Sequence, residues 1–132
     1  MNEEDRKVAI QLLLEKSLRN FEQAQFLADT GYWDLIVNRL YYGLYHAITA
    51  MMMKDGIKAK SHKGTSGQFG LHYVLTDKFP KEMGVFYNRM QLKREQADYD
   101  NVFKLSEEEG RDLMEKAFIF KHMIFNYINS RE

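Results

Sequence analysis

The sequence contains no cysteine and no long apolar run. A membrane-spanning helix requires about 18 or more consecutive apolar residues. The lack of cysteine excludes disulfides, thiol catalysis and cysteine-rich zinc sites. The lack of a long apolar run predicts that no segment spans a bilayer. The acidic start over residues 1–5 also lacks the basic and apolar regions of a signal peptide, so we expect a cytoplasmic location.

Neither sign of charge is in excess, because 19 Lys and Arg residues balance 19 Asp and Glu residues. The chain therefore lacks the overall positive field that drives strong nonspecific nucleic-acid binding. Any RNA contact would need a local basic patch, and the best candidate is the run of Lys54, Lys58, Lys60, His62 and Lys63. Such a run is also typical of a solvated loop, and both interpretations stay open.

The rest of the composition is that of an ordinary globular protein. Of the 132 residues, 45% are apolar and 29% are charged, unlike the disordered, fibrous and membrane classes. A chain of this length can bury a hydrophobic core without disulfides or metals. We therefore predict a single domain over residues 1–132.

Apolar residues at helical spacing, separated by short breaks, predict an all-α protein. The pairs Thr30-Gly31 and Asp55-Gly56 end the first two helices, and Pro80 suits the first turn of a later one. Ser106 and Glu109 form a capping box, in which each side chain satisfies a free backbone donor of the other. The predicted helices span about residues 3–29, 33–54, 66–77 (a short one), 80–99, and 106 onwards. This order predicts an antiparallel four-helix bundle with an additional short helix.

Two apolar stripes mark the helix faces that we expect to form the core. The stripe of the first helix consists of Ile10, Leu13, Leu14, Ser17, Leu18, Phe21, Ala24 and Ala28. The stripe of the last helix consists of Leu113, Ala117, Phe120, Ile124 and Ile128.

The second helix carries Arg39 and His46 on a shared face. Their seven-residue spacing leaves them about 20° apart around the helix axis and about 10 Å apart along it. Tyr42 lies on the same side. Arginine can hold a phosphate through two hydrogen bonds, and histidine can move a proton near neutral pH, so the pair suits phosphodiester chemistry. The alternative is a buried histidine satisfied by a neighbour and an arginine in a salt bridge.

Gly43 and Ala50 are small residues on this same face. A glycine inside a helix costs roughly 1 kcal/mol relative to alanine, so Gly43 requires a reason such as the close approach of another backbone. The approaching helix could belong to a second copy, which makes Gly43 and Ala50 a candidate dimer face. It could equally belong to the same chain.

A third polar group, Arg94 with Asp98 and Tyr99, lies near the end of the fourth predicted helix. The four-residue spacing allows an ion pair, which contributes only a few tenths of a kcal/mol when exposed. Asp98 and Tyr99 could instead orient Arg39 or His46 across the bundle. The other interpretation is a surface pair beside a core tyrosine.

We predict neither a metal site nor a cofactor. No glutamate has a histidine three residues later, as a carboxylate di-metal bundle requires, and the four histidines lack zinc spacing. The glycines at 64, 67 and 70 lack the Gly-Lys-Ser/Thr of a phosphate loop.

The segment Asn-Arg-Leu-Tyr-Tyr-Gly-Leu-Tyr-His-Ala over residues 38–47 resembles the Arg, four to six residues, His motif of the HEPN superfamily. Three further segments, 61–73, 80–84 and 94–99, are similar to its small single-domain prokaryotic branch. The resemblance covers roughly residues 16–128.

The resemblance implies a bundle that commonly dimerises around a shared cleft. Many such proteins are metal-independent endoribonucleases, and many prokaryotic ones are toxins paired with a minimal nucleotidyltransferase antitoxin. By this resemblance, Arg39 would bind and polarise the scissile phosphate, with Asn38 and Tyr42 in support. His46 would serve in proton transfer or transition-state hydrogen bonding. The attacking group would be the 2′-hydroxyl of RNA, so DNA would be spared.

Two positions depart from the pattern of the resembled family. Leu40 follows the arginine, where active members often have a polar residue. Ile48 lies two residues after the histidine, where some antitoxins modify a tyrosine. Two alternatives therefore stay open beside the ribonuclease: a catalytically silent module that binds a nucleotidyltransferase or a nucleotide, and a helical oligomerisation domain.

Overall fold

The computed structural model of the protein describes residues 1–130. Within this range the chain forms five α-helices and no β-strand, which confirms the all-α prediction. The helices are α1 (Glu3–Asp29), α2 (Ile36–Lys54), α3 (His62–Phe69), α4 (Lys81–Tyr99) and α5 (Glu107–Asn129). None of the helices over residues 1–130 has the length and apolarity needed to cross a membrane.

Side-chain caps and left-handed glycines set the helix ends. The Asn2 side chain accepts a hydrogen bond from the Asp5 N–H at the start of α1, and the carboxylates of the first turn suit the helix dipole. Gly31 and Gly56 follow α1 and α2 with φ of 83° and 75°, a conformation that glycine adopts without strain. At α5, Ser106 Oγ accepts from the Glu109 N–H at 3.1 Å.

Only one of the two hydrogen bonds of the predicted capping box is present at the start of α5. The Glu109 carboxylate accepts a hydrogen bond from the Ser106 hydroxyl at 3.1 Å, instead of from the Ser106 backbone N–H. The carboxylate therefore holds the capping hydroxyl in place.

Three predicted helix starts differ from the structure. Residues Trp33–Leu35 form a 3₁₀ turn before α2, with the Asp34 carboxylate accepting from the Leu105 N–H at 2.5 Å. The short helix begins at His62 because Ser61 caps it, and it continues as a π-helical turn over Gly70–Val74. Pro80 lies just before α4, in an extended conformation with ψ of 148°.

Helix α2 is central and contacts all four other helices. Its antiparallel packing on α1 follows from two contacts: the Ser17 hydroxyl donates to the Gly43 carbonyl at 2.6 Å, and Arg39 donates to Gln23 at 2.9 Å. Later residues of α1 thus meet earlier residues of α2. Lys54 donates to the Ile128 carbonyl at 3.0 Å, which ties the end of α2 to the end of α5.

The predicted core stripes are largely confirmed. All five stripe residues of α5 are buried, as are Ser17, Phe21, Ala24 and Ala28 of α1. The first part of the α1 stripe is less buried than predicted, because Ile10, Leu13 and Leu14 are only half-buried. Leu18 is exposed, at 40%.

The dimer face predicted at Gly43 and Ala50 is wrong, because both residues are buried within the chain. A Cβ atom added at Gly43 would lie 2.7 Å from Cε2 of Phe21. The close approach that the glycine permits is therefore made by α1 of the same chain, which was the alternative interpretation.

Candidate active site

Arg39 and His46 lie on the partly buried face of α2 that meets α1, and a single side chain joins them. Asn20 of α1 is only 8% exposed. Its amide makes hydrogen bonds through both its nitrogen and its oxygen in one orientation. In this orientation Nδ2 donates to His46 Nδ1 at 2.9 Å and to the Lys16 carbonyl at 3.0 Å. In this orientation Oδ1 accepts from Arg39 Nη1 at 3.2 Å. A buried amide therefore couples the cation and the imidazole.

The contact with Asn20 also fixes the state of the His46 ring. A neutral imidazole that accepts at Nδ1 carries its proton at Nε2, so Nε2 is a hydrogen-bond donor. Burial lowers the pKa of His46 below its ordinary value, and the positive charges of Lys16 and Arg39 lower it further. Both effects favour the neutral form of His46.

The Arg39 guanidinium is held on three sides. Asn38 Oδ1 accepts from Nε at 2.9 Å and also from Nη2, and Gln23 Oε1 accepts from Nη1 at 2.9 Å. The guanidinium carbon lies 6.0 Å from the centre of the Tyr42 ring. Leu40 is fully buried in the core, so the polar contact to Arg39 comes from the residue before it and not from the residue after it.

His62 is a second imidazole at this site, although the sequence indicated it only as part of the basic run. The Tyr45 ring lies between the two histidines, with its centre 4.4 Å from that of His62 and 5.7 Å from that of His46. The Tyr41 hydroxyl is 2.8 Å from His62 Nδ1. Burial lowers the pKa of His62, and the Arg94 charge adds to this lowering.

Arg94 of α4 is brought to the site, whereas Asp98 and Tyr99 of the same helix do not reach Arg39 or His46 directly. Its guanidinium carbon lies 5.0 Å from the ring centre of Tyr41 and 5.9 Å from that of Tyr42. Asp98 accepts from Arg94 Nη1 at 3.2 Å and so contacts the site only through Arg94. Tyr99 is 87% exposed, which rules out the core position of one interpretation and gives no support to the other, in which Tyr99 orients Arg39 or His46.

A local cationic patch therefore exists in a chain without net charge. Lys16, Arg39 and Arg94 come from three different helices and act on the two imidazoles, while the Glu95 carboxylate opposes Arg94 at His62. Such a patch attracts phosphate although the overall charge balance does not. The lysines of the predicted basic run are separate from it: Lys58, Lys60 and Lys63 are all exposed on the segment from the end of α2 to the start of α3.

One missed residue could have been found in the sequence. Asn20 lies between Ser17 and Ala24 at helical spacing, and a polar side chain inside an apolar stripe indicates a buried hydrogen-bond role. No sequence pattern places His62 or Arg94 beside the tyrosines of α2, because that contact depends on how α3 and α4 pack. Within residues 1–130, no three side chains of the His, Asp, Glu type cluster as metal ligands would.

The fold and the site define a helical-bundle protein that carries an arginine–histidine site on its central helix. Residues 10–126 match the family model of the HEPN domain, and the chain belongs to this family.

Relatives of nearly the same length are similar to this chain. "Putative toxin MJ0142" of Methanocaldococcus jannaschii is 26% identical over 95% of this chain and 85% of its own length. A UPF0332 protein of Thermotoga maritima is 31% identical over 89% of this chain and 87% of its own length. "Putative toxin MJ0605" of Methanocaldococcus jannaschii is 28% identical over 88% of this chain and 86% of its own length.

The lowered pKa values of His46 and His62 predict a loss of stability in acid. A histidine whose pKa is lowered by folding binds more protons when unfolded, so stability rises with pH across its titration. Stability present near neutral pH should fall as the pH drops below about 6.5, the ordinary pKa of histidine. Melting temperatures from pH 7.5 to 5.0 should fall less steeply for His46→Gln than for the wild type. His122→Gln, at an exposed position, is the control, and identical slopes for all three proteins would contradict the prediction.

Proposed function

We propose that this protein is a metal-independent endoribonuclease of the toxin kind that acts as a homodimer. The observation that carries the proposal is the Asn20 amide, which joins Arg39 to His46 within a cationic patch. An arginine and a histidine held in fixed relation by a buried group suit a reaction at a phosphodiester. The names of the two Methanocaldococcus jannaschii relatives support the toxin assignment.

In the proposed reaction, Arg39 binds the two nonbridging oxygens of the scissile phosphate. The 2′-oxygen of the preceding ribose attacks phosphorus, the new P–O2′ bond forms, and the P–O5′ bond breaks. The 2′-hydroxyl loses its proton to water, and the 5′-oxygen takes one up from water. The products are a 2′,3′-cyclic phosphate and a 5′-hydroxyl end.

The role of His46 in this reaction follows from its hydrogen bond. With Nδ1 accepting from Asn20, the outward Nε2–H is a donor to the oxygen on which negative charge develops. Because its pKa is lowered, His46 keeps this neutral, singly protonated form at pH 7. We therefore assign His46 to transition-state hydrogen bonding, the second of the two roles considered from the sequence.

The homodimer would complete a cleft around two such sites, and its interface lies elsewhere than Gly43. Exposed apolar residues of α1 are the alternative: Phe26 is 66% exposed and lines a shallow hollow with Gln23 and Arg39. A second copy covering this hollow would place its own chain beside Arg39. The nucleotidyltransferase antitoxin and the cytoplasmic location stay predictions.

Cleavage of single-stranded RNA in excess EDTA tests the proposal. We expect purified protein to cut a labelled RNA and to leave 2′,3′-cyclic phosphate ends, detected by mass spectrometry. An oligonucleotide of the same sequence with 2′-deoxyribose throughout should stay intact, because it lacks the attacking hydroxyl. Cleavage of the deoxy strand, or activity that requires an added divalent metal, would contradict this mechanism.

A further inference from the structure

A groove beside the Arg39–His46 site is not used by the proposed cleavage step. It lies between the second half of α2 and the segment that leads to α3, and its volume is about 540 Å³. Its floor contains the side chains of Tyr45, Met52, Met53 and Ile57. This volume is within the range of roughly 300–1,000 Å³ in which sites for small organic groups fall.

The rim of the groove is basic. Lys58 and Lys60 line it and are exposed, and within residues 1–130 neither is ion-paired with a carboxylate. Arg6 lines it as well, although it is paired with Glu3 at 2.6 Å. Among residues 1–130, no acidic side chain contributes to the lining. The groove thus combines an apolar floor with positive charge at its edge.

Tyr45 connects the groove to the site on α2. Its side chain lines the groove, and its ring contacts those of both His46 and His62, at centre separations of 5.7 and 4.4 Å. A chain-like ligand with a phosphate at Arg39 could therefore continue past Tyr45 into the groove.

We propose that this groove binds a nucleotide of single-stranded RNA next to the scissile phosphate. The base packs against Tyr45 and the methionines, and Lys58 and Lys60 contact the following phosphate. Aromatic and apolar contact with a base, together with cations along the backbone, is how proteins bind single strands without reading their sequence. An acidic peptide would also suit the charge, but the continuity with a phosphate-binding arginine favours RNA. The inference rests on the proposed function.

Binding of an RNA that cannot be cleaved tests the groove separately from catalysis. The probe is a fluorescein-labelled 2′-O-methyl decauridylate, and fluorescence anisotropy gives Kd at several salt concentrations. For the double variant Lys58→Glu/Lys60→Glu we expect Kd to rise roughly tenfold or more. The salt slope should fall by about 0.7, since both lysines contact one phosphate and each phosphate contact on a single strand contributes about 0.7. Lys81→Glu/Lys104→Glu, at exposed positions outside the groove, is the matched control and should stay within twofold.

A second measurement locates the base. A probe with one 4-thiouridine, irradiated on the wild-type protein, should cross-link to a peptide within residues 45–60. An unchanged Kd in the Lys58/Lys60 variant, cross-links confined to other helices, or no binding to the wild type would each overturn the groove assignment. RNA cleavage in EDTA that persists in any of these cases leaves the proposed function intact, whereas absent cleavage with intact groove binding overturns only the ribonuclease.

Discussion

Replacing His46 with alanine should lower the rate of RNA cleavage by about 10²- to 10³-fold, the loss typical of removing one transition-state hydrogen-bond donor. The Nε2–H that the Asn20 contact directs outward is lost in this variant. Arg39→Ala should cause a loss at least as large, because it removes a charged group that contacts the phosphate. Single-turnover cleavage of labelled RNA in EDTA measures both effects.

A conservative substitution separates the two possible roles of His46. The amide of His46→Gln can supply an N–H donor near the position of Nε2 but cannot transfer a proton at neutral pH. We therefore expect His46→Gln to retain more activity than His46→Ala. Equal loss in the two variants would favour proton transfer instead.

His122→Ala is the control for both substitutions, because this histidine is exposed on α5 and outside the site. Its cleavage rate should equal that of the wild type, and the melting temperature of each variant should be compared at the same pH. Full activity of both His46→Ala and Arg39→Ala would remove these residues from the mechanism.

Replacing Gly43 with leucine should destabilise the protein strongly. Overpacking a core typically lowers the free energy of unfolding by about 1–3 kcal/mol, and we expect a larger loss here. Even the Cβ atom would lie 2.7 Å from Cε2 of Phe21 and 3.0 Å from its Cζ, and the remaining side-chain atoms need further space. The Gly43 carbonyl also accepts the buried Ser17 hydroxyl, so α1 cannot move away without breaking that hydrogen bond. Urea unfolding measures the change in the free energy of unfolding.

Two further variants make this prediction specific. Gly67 of α3 has no atom within 4 Å of an added Cβ, so Gly67→Ala should be neutral or stabilising by up to about 1 kcal/mol. Combining Gly43→Ala with Phe21→Leu should recover part of the stability lost with Gly43→Ala alone, since the two positions are in contact. A Gly43→Leu variant of wild-type stability that no longer forms dimers would restore the rejected dimer face.

The burial of Leu40 and Ile48 shows how each departure from the resembled motif affects the site. Leu40 and Ile48 are both fully buried in the core of the bundle. Leucine after the arginine therefore removes no group from the site, and Asn38 makes the polar contact. Ile48 lies where a modifying partner would need an accessible tyrosine, and Tyr42 and Tyr45 are the partly buried tyrosines near His46.

Local signals determined most of the fold from the sequence alone. The start and end of α1 match their predicted residues, because an asparagine cap and a left-handed glycine act within a few residues of the helix. The shared face of Arg39 and His46 also follows from helical geometry, which depends only on spacing. The membership in the HEPN family rests on the same local motifs.

Tertiary packing decided what the sequence left open. Whether Gly43 meets a second copy or Phe21 depends on how α1 lies against α2, since any closely packed helix satisfies the same glycine. Likewise, Asn20, His62 and Arg94 reach the site from three other helices, at sequence distances over which no spacing rule operates. The sequence thus determined which helix carries the arginine and the histidine, and only the packing of the bundle determined which groups hold them.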